Sequence, residues 1–413
     1  MSSESSEFSF NSDDDSALMP ISSIFSINSV EVSTESNTYT FNPIPMRVGS
    51  YSIKNHRKFN QDYVSDLCST DGLHVVSIVA DGHGDYGHIA SQSAVETIRS
   101  IFGANIDNMS AFLAPLIDDE TQAQVFFDGM FLQVHSNVRQ SFLSLNSMFV
   151  VDSSDPHGVV RNRLNCMDAV SGGTTLTVTV VTTLADGSRK IFCANVGDSD
   201  AILIKMNTAD QSVVKGQVDH LSVGHSPDNL LEYERIRDLD PSLYPNKLRL
   251  EYEFRPGYIN SSGQLTAVFG PDGTANPVPD GIYYTTVRKD YATYARCNCR
   301  DPITIAMTRA IGDFAAHQYG MTWSPSVSIH TINPSDEYAI VSASDGVWDC
   351  TMYPDFADYF RHQFQIMSET DANTMSLSEL LCTESVKKGT SLFGLSGYDD
   401  TTISVIHYTN IRG

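Results

Sequence analysis

Four aspartates of this 413-residue chain, Asp81, Asp313, Asp345 and Asp399, sit where short apolar runs begin or end, and three of them adjoin glycine. A carboxylate at the tip of a buried strand is held rigidly and is expensive to leave unpaired. Several that converge repel one another unless a cation neutralises them. Hard oxygen ligands of this kind suit Mg²⁺ or Mn²⁺. Asp-Gly alone is a common turn dipeptide, so the conjunction carries the argument.

The runs themselves read as strands. His74–Ala80 is rich in Val and Ile and meets a turn at Asp81-Gly82. Thr174–Leu184 alternates Thr with apolar residues, and Lys190–Asn195 and Ala201–Lys205 flank Gly197-Asp198 as a hairpin would. Tyr338–Ala343 and Thr401–Tyr408 complete the set. Helical spacing marks His88–Ile106, Gln124–Leu145, Tyr353–Ile366 and Ser376–Lys388, the last with Ser376 and Glu379 as a capping box. The Met and Phe stripe of Gln124–Leu145 reads as core. Strands and helices do not alternate one for one, which argues for an α+β class with antiparallel sheets covered by helices.

Residues 1–44, rich in Ser, Asn and acidic residues, read as a disordered tail with one apolar piece, Met19–Ile27. Residues 45–410 form the globular domain. Within it, 237–302 is rich in Pro, Gly, Tyr and Asn and reads as an extended flap or insertion.

Acidic residues number 50 against 26 Lys plus Arg, a net charge of −24. Such a surface repels nucleic acid and anionic lipid and favours divalent cations and basic peptides. It also simply keeps a protein soluble. The seven cysteines are an odd count with only a lone CxC at Cys297 and Cys299, so reduced thiols in the cytoplasm or nucleus are expected and a zinc site is not. No secretory signal opens the chain, and no apolar stretch approaches the ~18 residues of a membrane span.

Seven short motifs then follow in a fixed order. They are Arg57-Lys58-Phe59-Asn60-Gln61-Asp62, Asp81-Gly82-His83-Gly84, Ser171-Gly172-Gly173-Thr174-Thr175 and Gly197-Asp198-Ser199, then Thr308-Arg309-Ala310-Ile311-Gly312-Asp313, Ser344-Asp345-Gly346-Val347-Trp348-Asp349 and Asp399-Asp400-Thr401-Thr402. In this order, across about residues 47–408, the chain resembles the type 2C metal-dependent serine/threonine protein phosphatases. The resemblance implies a central β-sandwich of two mostly antiparallel sheets flanked by α-helices in αββα layers. It implies action on phosphorylated protein substrates with two Mg²⁺ or Mn²⁺ ions and a weaker third; a monomer is expected.

Carried over position by position, Asp81 would bridge both metals, Gly82 would ligate one through its carbonyl, and Asp345 and Asp399 would hold the other. Asp62 would act through metal-bound water, and Asp198 and Asp349 would hold the third ion. Arg57 would grip the substrate phosphate, where a planar fork suits two oxygens. His83 would act as general acid. Two ions would lower the pKa of a shared water, whose hydroxide would attack phosphorus in line. Arg309 and Asp313 read as supporting residues. Departures from the family pattern are Gln61 for Glu, Asp85 for Gly, Asp200 for Arg, Gly224 for Asp and Asp400 for Asn. A catalytically silent relative that binds partners through the same fold is the alternative; a nuclease conflicts with the acidic surface.

Overall fold

The strand Tyr338–Ala343 is buried on both faces, and alternate residues serve different layers. Ile340 packs in one cluster with Met46, Val48, Leu203 and Ile406 and with Val75, Val181 and Ile191 of a second sheet. Its neighbours Ala339 and Val341 pack instead against Phe356, Phe360, Leu377 and Leu381, which belong to the helices Tyr353–Ser368 and Thr374–Phe393. On the other side, Val76, Ile78 and Ala80 pack against Ala94, Ile98, Phe127, Phe131 and Val138 of the helices Gly87–Gly103 and Glu120–Leu145. A period of two along each strand therefore builds four layers, helix–sheet–sheet–helix. This computed structural model describes residues 46–165, 167–206, 217–254, 266–276, 291–298, 300–368, 374–395 and 398–408.

The first sheet runs in the order Met46–Ile53, Thr401–Tyr408, Tyr338–Ala343, Asp200–Lys205, Asp219–His220. The second centres on His74–His83, Leu176–Thr183, Arg189–Val196 and Ser326–Ile332, with Asp62–Cys68 paired to His74–His83. The strand pairs are antiparallel throughout. The α+β sandwich expected from the sequence is thus the architecture observed.

The expected hairpin at Gly197-Asp198 is corrected. Arg189–Val196 is already paired on both edges, with Leu176–Thr183 and Ser326–Ile332. Asp200–Lys205 pairs with Tyr338–Ala343 and Asp219–His220 in the other sheet. The chain changes sheets at Gly197, whose φ of 95° suits glycine. The capping box is corrected as well: the helix opens at Thr374, so Ser376 lies inside it.

Residues 237–302 hold more structure than their composition suggests. Arg249–Phe254 and Tyr291–Cys297 pair in a small sheet with Thr266–Ala267 and Ile303–Ile305. Leu250 and Tyr252 are buried with Ala295, Met307, Tyr319 and Met321, while Glu251 and Glu253 alternate with them and mask the pattern. Cys297 is disulfide-bonded, which corrects the reading of uniformly reduced thiols, while Cys68, Cys193, Cys350 and Cys382 are free. The expected tail 1–44 with Met19–Ile27, and also Cys166 and Cys299, lie outside the described residues. No helix among the described residues is long and apolar enough to cross a membrane.

Candidate active site

Antiparallel pairing brings the motif residues to one end of the sandwich. Asp62, which opens its strand, is the direct cross-strand partner of Asp81, near the end of His74–His83. Ala343, the last strand residue before Ser344-Asp345, pairs with Ile403, just beyond Asp399-Asp400. Asp81, Asp345 and Asp399 consequently share one cavity of about 520 Å³ with Arg57, Gly82 and His83. Residues so distant in the chain meet because register, not sequence proximity, sets which strand ends coincide.

Each carboxylate is held by its local scaffold. Thr175 fixes Asp81 from both sides: its Oγ1 accepts from the Asp81 N–H at 2.9 Å, and its own N–H donates to the Asp81 carbonyl at 2.8 Å. Gly82 admits no side chain, since a Cβ there would lie 2.3 Å from the Gly87 carbonyl oxygen. Asp62 is buried and accepts from Ser344 Oγ at 2.8 Å. Asp345 opens a short helical turn just after Ser344.

The electrostatics call for a cation. Burial, then the charge of Asp400, pushes the Asp62 pKa up to about 7. Burial and the neighbouring aspartates raise Asp81 and Asp345 well above the usual carboxylate range, and these two share a hydrogen bond. Asp62 Oδ1 and Asp345 Oδ1 are buried with no hydrogen-bond donor among the described residues. Buried, converging, under-satisfied carboxylate oxygens are what hard divalent cations take, so the donor set fits such an ion. Among the described residues, however, no three His, Cys, Asp or Glu side chains already stand in metal-binding geometry. Arg57 lies against Asp399, with Nη1 3.1 Å from Oδ1 and Nη2 3.3 Å from Oδ2. A guanidinium thus partly neutralises one of the carboxylates.

His83 and Asp313 form the second element of the site. His83 Nε2 lies 2.5 Å from Asp313 Oδ2. Burial works to lower the His83 pKa, but the Asp313 charge and hydrogen bond outweigh it, and the net shift is upward. Asp313 sits at φ 42°, a left-handed conformation that aspartate tolerates. Gly312 is pinned beside it, its N–H donating to His135 Nδ1 at 3.3 Å and its carbonyl accepting from His317 Nε2 at 3.0 Å.

Asp198 and Asp349 line an adjoining cavity of about 500 Å³ that shares Asp345 with the first. Asp200 lines it too but is committed to Ser222 at 2.8 Å and Tyr353 at 2.6 Å. Gln61 does something its type did not announce. Its Oε1 accepts from Arg57 Nη1 at 2.9 Å, and its Nε2 donates to the Gly84 carbonyl at 2.7 Å, a bond a glutamate could not make. Asp400 is buried and accepts from the backbone N–H groups of Asn55 and Gln61, each at 2.7 Å. Asn55, whose Nδ2 is 3.3 Å from Asp399 Oδ1, carried no sequence signal; it is one Asn in a polar loop.

The flap region reaches the cavity through Tyr294, Arg300 and Asp301. Asp301 is clamped by buried Arg161 at 2.9 and 3.0 Å. Arg309 is structural, as expected, with Nη2 2.6 Å from Glu232 Oε1.

The family model of protein phosphatase 2C matches residues 79–391, a span that includes Asp81, Asp198, Asp345 and Asp349 but not Arg57, Asp62 or Asp399. The probable protein phosphatase 2C 38 of Oryza sativa subsp. japonica is 24% identical over 321 residues, covering 72% of this chain and 56% of the relative. Protein phosphatase 2C homolog 2 of Schizosaccharomyces pombe is 27% identical over 246 residues, covering 54% of this chain and 64% of the relative. The chain thus spans a little over half the length of these two curated relatives. A crystal structure of serine-threonine phosphatase 2C from Toxoplasma gondii superposes with a TM-score of 0.56 at 15% identity, covering 91% of this chain and 98% of the other, a likeness of fold. With its matched span, strand order and gathered aspartates, the chain belongs to the protein phosphatase 2C family.

Proposed function

We propose that the chain hydrolyses phosphoserine and phosphothreonine esters in proteins, using two divalent cations, Mg²⁺ or Mn²⁺, with a weaker third. The observation that carries this reading is the meeting of Asp62, Asp81 and Asp345 beside Arg57 and the His83–Asp313 pair, with two buried carboxylate oxygens that lack donors among the described residues. Asp81, the Gly82 carbonyl, Asp345 and Asp399 would hold the two main ions, Asp62 would support them, and Asp198 and Asp349 would hold the third. Bound there, the cations would supply an activated water at neutral pH and offset charge on the phosphoryl oxygens.

The chain's own groups do the rest. Arg57 presents a planar fork to two phosphoryl oxygens once it leaves Asp399. Gln61, anchored on the Gly84 carbonyl, holds that guanidinium beside the Asp81-Gly82-His83 turn. His83, its Nε2 held on Asp313 Oδ2, would give the leaving alkoxide a proton from Nδ1, and Asp313 orients the ring and stabilises its protonated form. The flap residues Tyr294 and Arg300 wall the cavity where a peptide would lie.

Hydrolysis of p-nitrophenyl phosphate with and without Mn²⁺, alongside Asp81→Asn, tests the reading. Turnover should require metal, and loss of a direct ligand should cost more than the ~10–100-fold typical of an outer supporting group. No metal-dependent turnover at high protein concentration would leave the silent binding module; turnover that survives Asp81→Asn would overturn the site.

A further inference from the structure

Positive charge is scarce in this chain, 26 Lys plus Arg against 50 acidic residues, yet Lys54, His56, Arg57 and Lys58 fall within five positions that hold no acid. The fold sets this cluster at the rim of the catalytic cavity. A second cleft of about 380 Å³ opens there, and it shares Arg57, His83 and Gly84 with the first. A phosphoresidue whose phosphate faces Arg57 would therefore bring a neighbouring residue of its peptide to this cleft, since consecutive residues lie only ~3.8 Å apart along a chain.

The walls of the cleft have a definite chemistry. Phe59 stacks on His88, ring centroids 4.5 Å apart and planes within 14°. The Lys58 ammonium stands 4.9 Å from the Phe59 centroid. Lys58 is exposed, and among the described residues no carboxylate lies within ion-pair distance of it. Lys54 Nζ sits 3.5 Å from the Lys58 carbonyl, adding a second cation nearby. Among the described residues Asp85 is the one acidic residue lining the cleft. The net charge of −24 would by itself draw basic peptides. That field is screened beyond ~8–10 Å at physiological salt, so groups at contact range decide.

We propose that this cleft is a substrate subsite for an anionic side chain flanking the phosphoserine or phosphothreonine, with Lys58 as its charge partner and the Phe59–His88 pair as its wall. The anion is a carboxylate of Asp or Glu, or a second phosphoresidue. The proposal rests on the phosphatase reading and names the substrate class for it.

The test uses the Mn²⁺-loaded protein and a set of phosphoserine peptides with alanine flanks. Asp, Lys or a second phosphoserine is placed in turn at each of three positions on either side. At one or two positions the Asp peptide should exceed the Lys peptide in kcat/KM by about five- to tenfold, the scale of an exposed ion pair made against one repelled. A further gain with phosphoserine over Asp assigns the natural anion to a second phosphate; no gain assigns it to a carboxylate. Lys58→Glu should invert the Asp-to-Lys ratio, and Phe59→Ala should shrink it toward one. The readout is a ratio within each variant, so it does not depend on the variant's overall activity. An Asp-to-Lys ratio unaltered in both variants overturns the subsite. If the parent hydrolyses neither peptide nor p-nitrophenyl phosphate, the phosphatase reading fails. The same ratio taken from peptide dissociation constants by fluorescence anisotropy then decides the subsite independently.

Discussion

Arg57 and Asp399 are joined through two contacts, at 3.1 and 3.3 Å, although the proposed chemistry needs one for phosphate and the other for metal. On the proposed reading the pair would be an exchangeable stopper: a cation taking Asp399 would release the guanidinium toward the phosphate. Both side chains are more than a third exposed, so the pair is worth no more than about 1 kcal/mol. Arg57→Ala should therefore tighten Mn²⁺ binding about two- to fivefold by calorimetry without phosphate. It should also cost about 10–100-fold in kcat/KM through loss of a charged hydrogen bond to substrate. Weaker metal binding in Arg57→Ala would refute the exchange.

Asp62, Asp81 and Asp345 crowd buried carboxylates, and without a bound cation that crowding favours their protonated forms. Without metal, Asp81→Asn should stabilise the protein, raising its melting temperature by about 1–3 °C, as expected for ~1 kcal/mol in a domain of this size. With saturating Mn²⁺ the order should reverse, because the parent gains stability from bound metal and the variant gains less. Differential scanning with and without Mn²⁺ reads both, and a variant that melts lower in both conditions would show that Asp81 is structural.

The 2.5 Å contact between His83 and Asp313 predicts dependence on the leaving group. p-Nitrophenolate departs without a proton, whereas a serine alkoxide needs one. His83→Ala should lose about 10²–10⁴-fold on a phosphoserine peptide and far less on p-nitrophenyl phosphate. Asp313→Asn should follow the same pattern more weakly. Equal losses on both substrates would remove His83 from the general-acid role.

Asp400 spends one oxygen on the Asn55 N–H and the other on the Gln61 N–H, and so bolts both ends of the Arg57 loop to the strand that begins at Thr401. An asparagine offers one acceptor and turns an N–H₂ toward the second donor. Asp400→Asn should cost about 1–3 kcal/mol in urea unfolding and raise KM for phosphopeptide through a looser Arg57. No change in either would mean the loop is held elsewhere.

Much of this was legible in the sequence, for reasons that differ by residue. Val75, Val76 and Ile78 announce a buried strand, and the Phe127–Phe142 stripe announces a core helix, because burial imposes their spacing. Asp81, Asp345 and Asp399 were legible through motifs, and the family resemblance led one to expect them to meet. The register that brings them together, Asp62 with Asp81 and Ala343 with Ile403, was not legible. The crossing at Gly197 was misread because a short turn between two strands looks local whichever sheet each joins. Asn55 and the amide of Gln61 were silent, since an Asn or Gln side chain declares its partners only in three dimensions.

His407 offers a pH prediction remote from the catalytic cavity. It is buried, pairs across the strands with Arg47 and packs 4.2 Å from the Phe364 ring. Its Nε2 has no hydrogen-bond partner among the described residues. Burial first, then repulsion from Arg47, lowers its pKa from 6.5 to about 3. The folded state thus binds its proton later than the unfolded chain. The stability tied to neutral His407 is full above pH ~6.5 and is lost as pH falls toward 3. Between pH 7.5 and 5 the loss from this residue should be about 2 kcal/mol. His407→Phe keeps the ring, removes the titration and removes the buried nitrogen. In urea unfolding at pH 7.5 and 5.0 the variant should match or exceed the parent at the higher pH. It should also lose about 2 kcal/mol less on acidification. An identical acid loss in both proteins would mean that His407 is reached by water or protonated without unfolding.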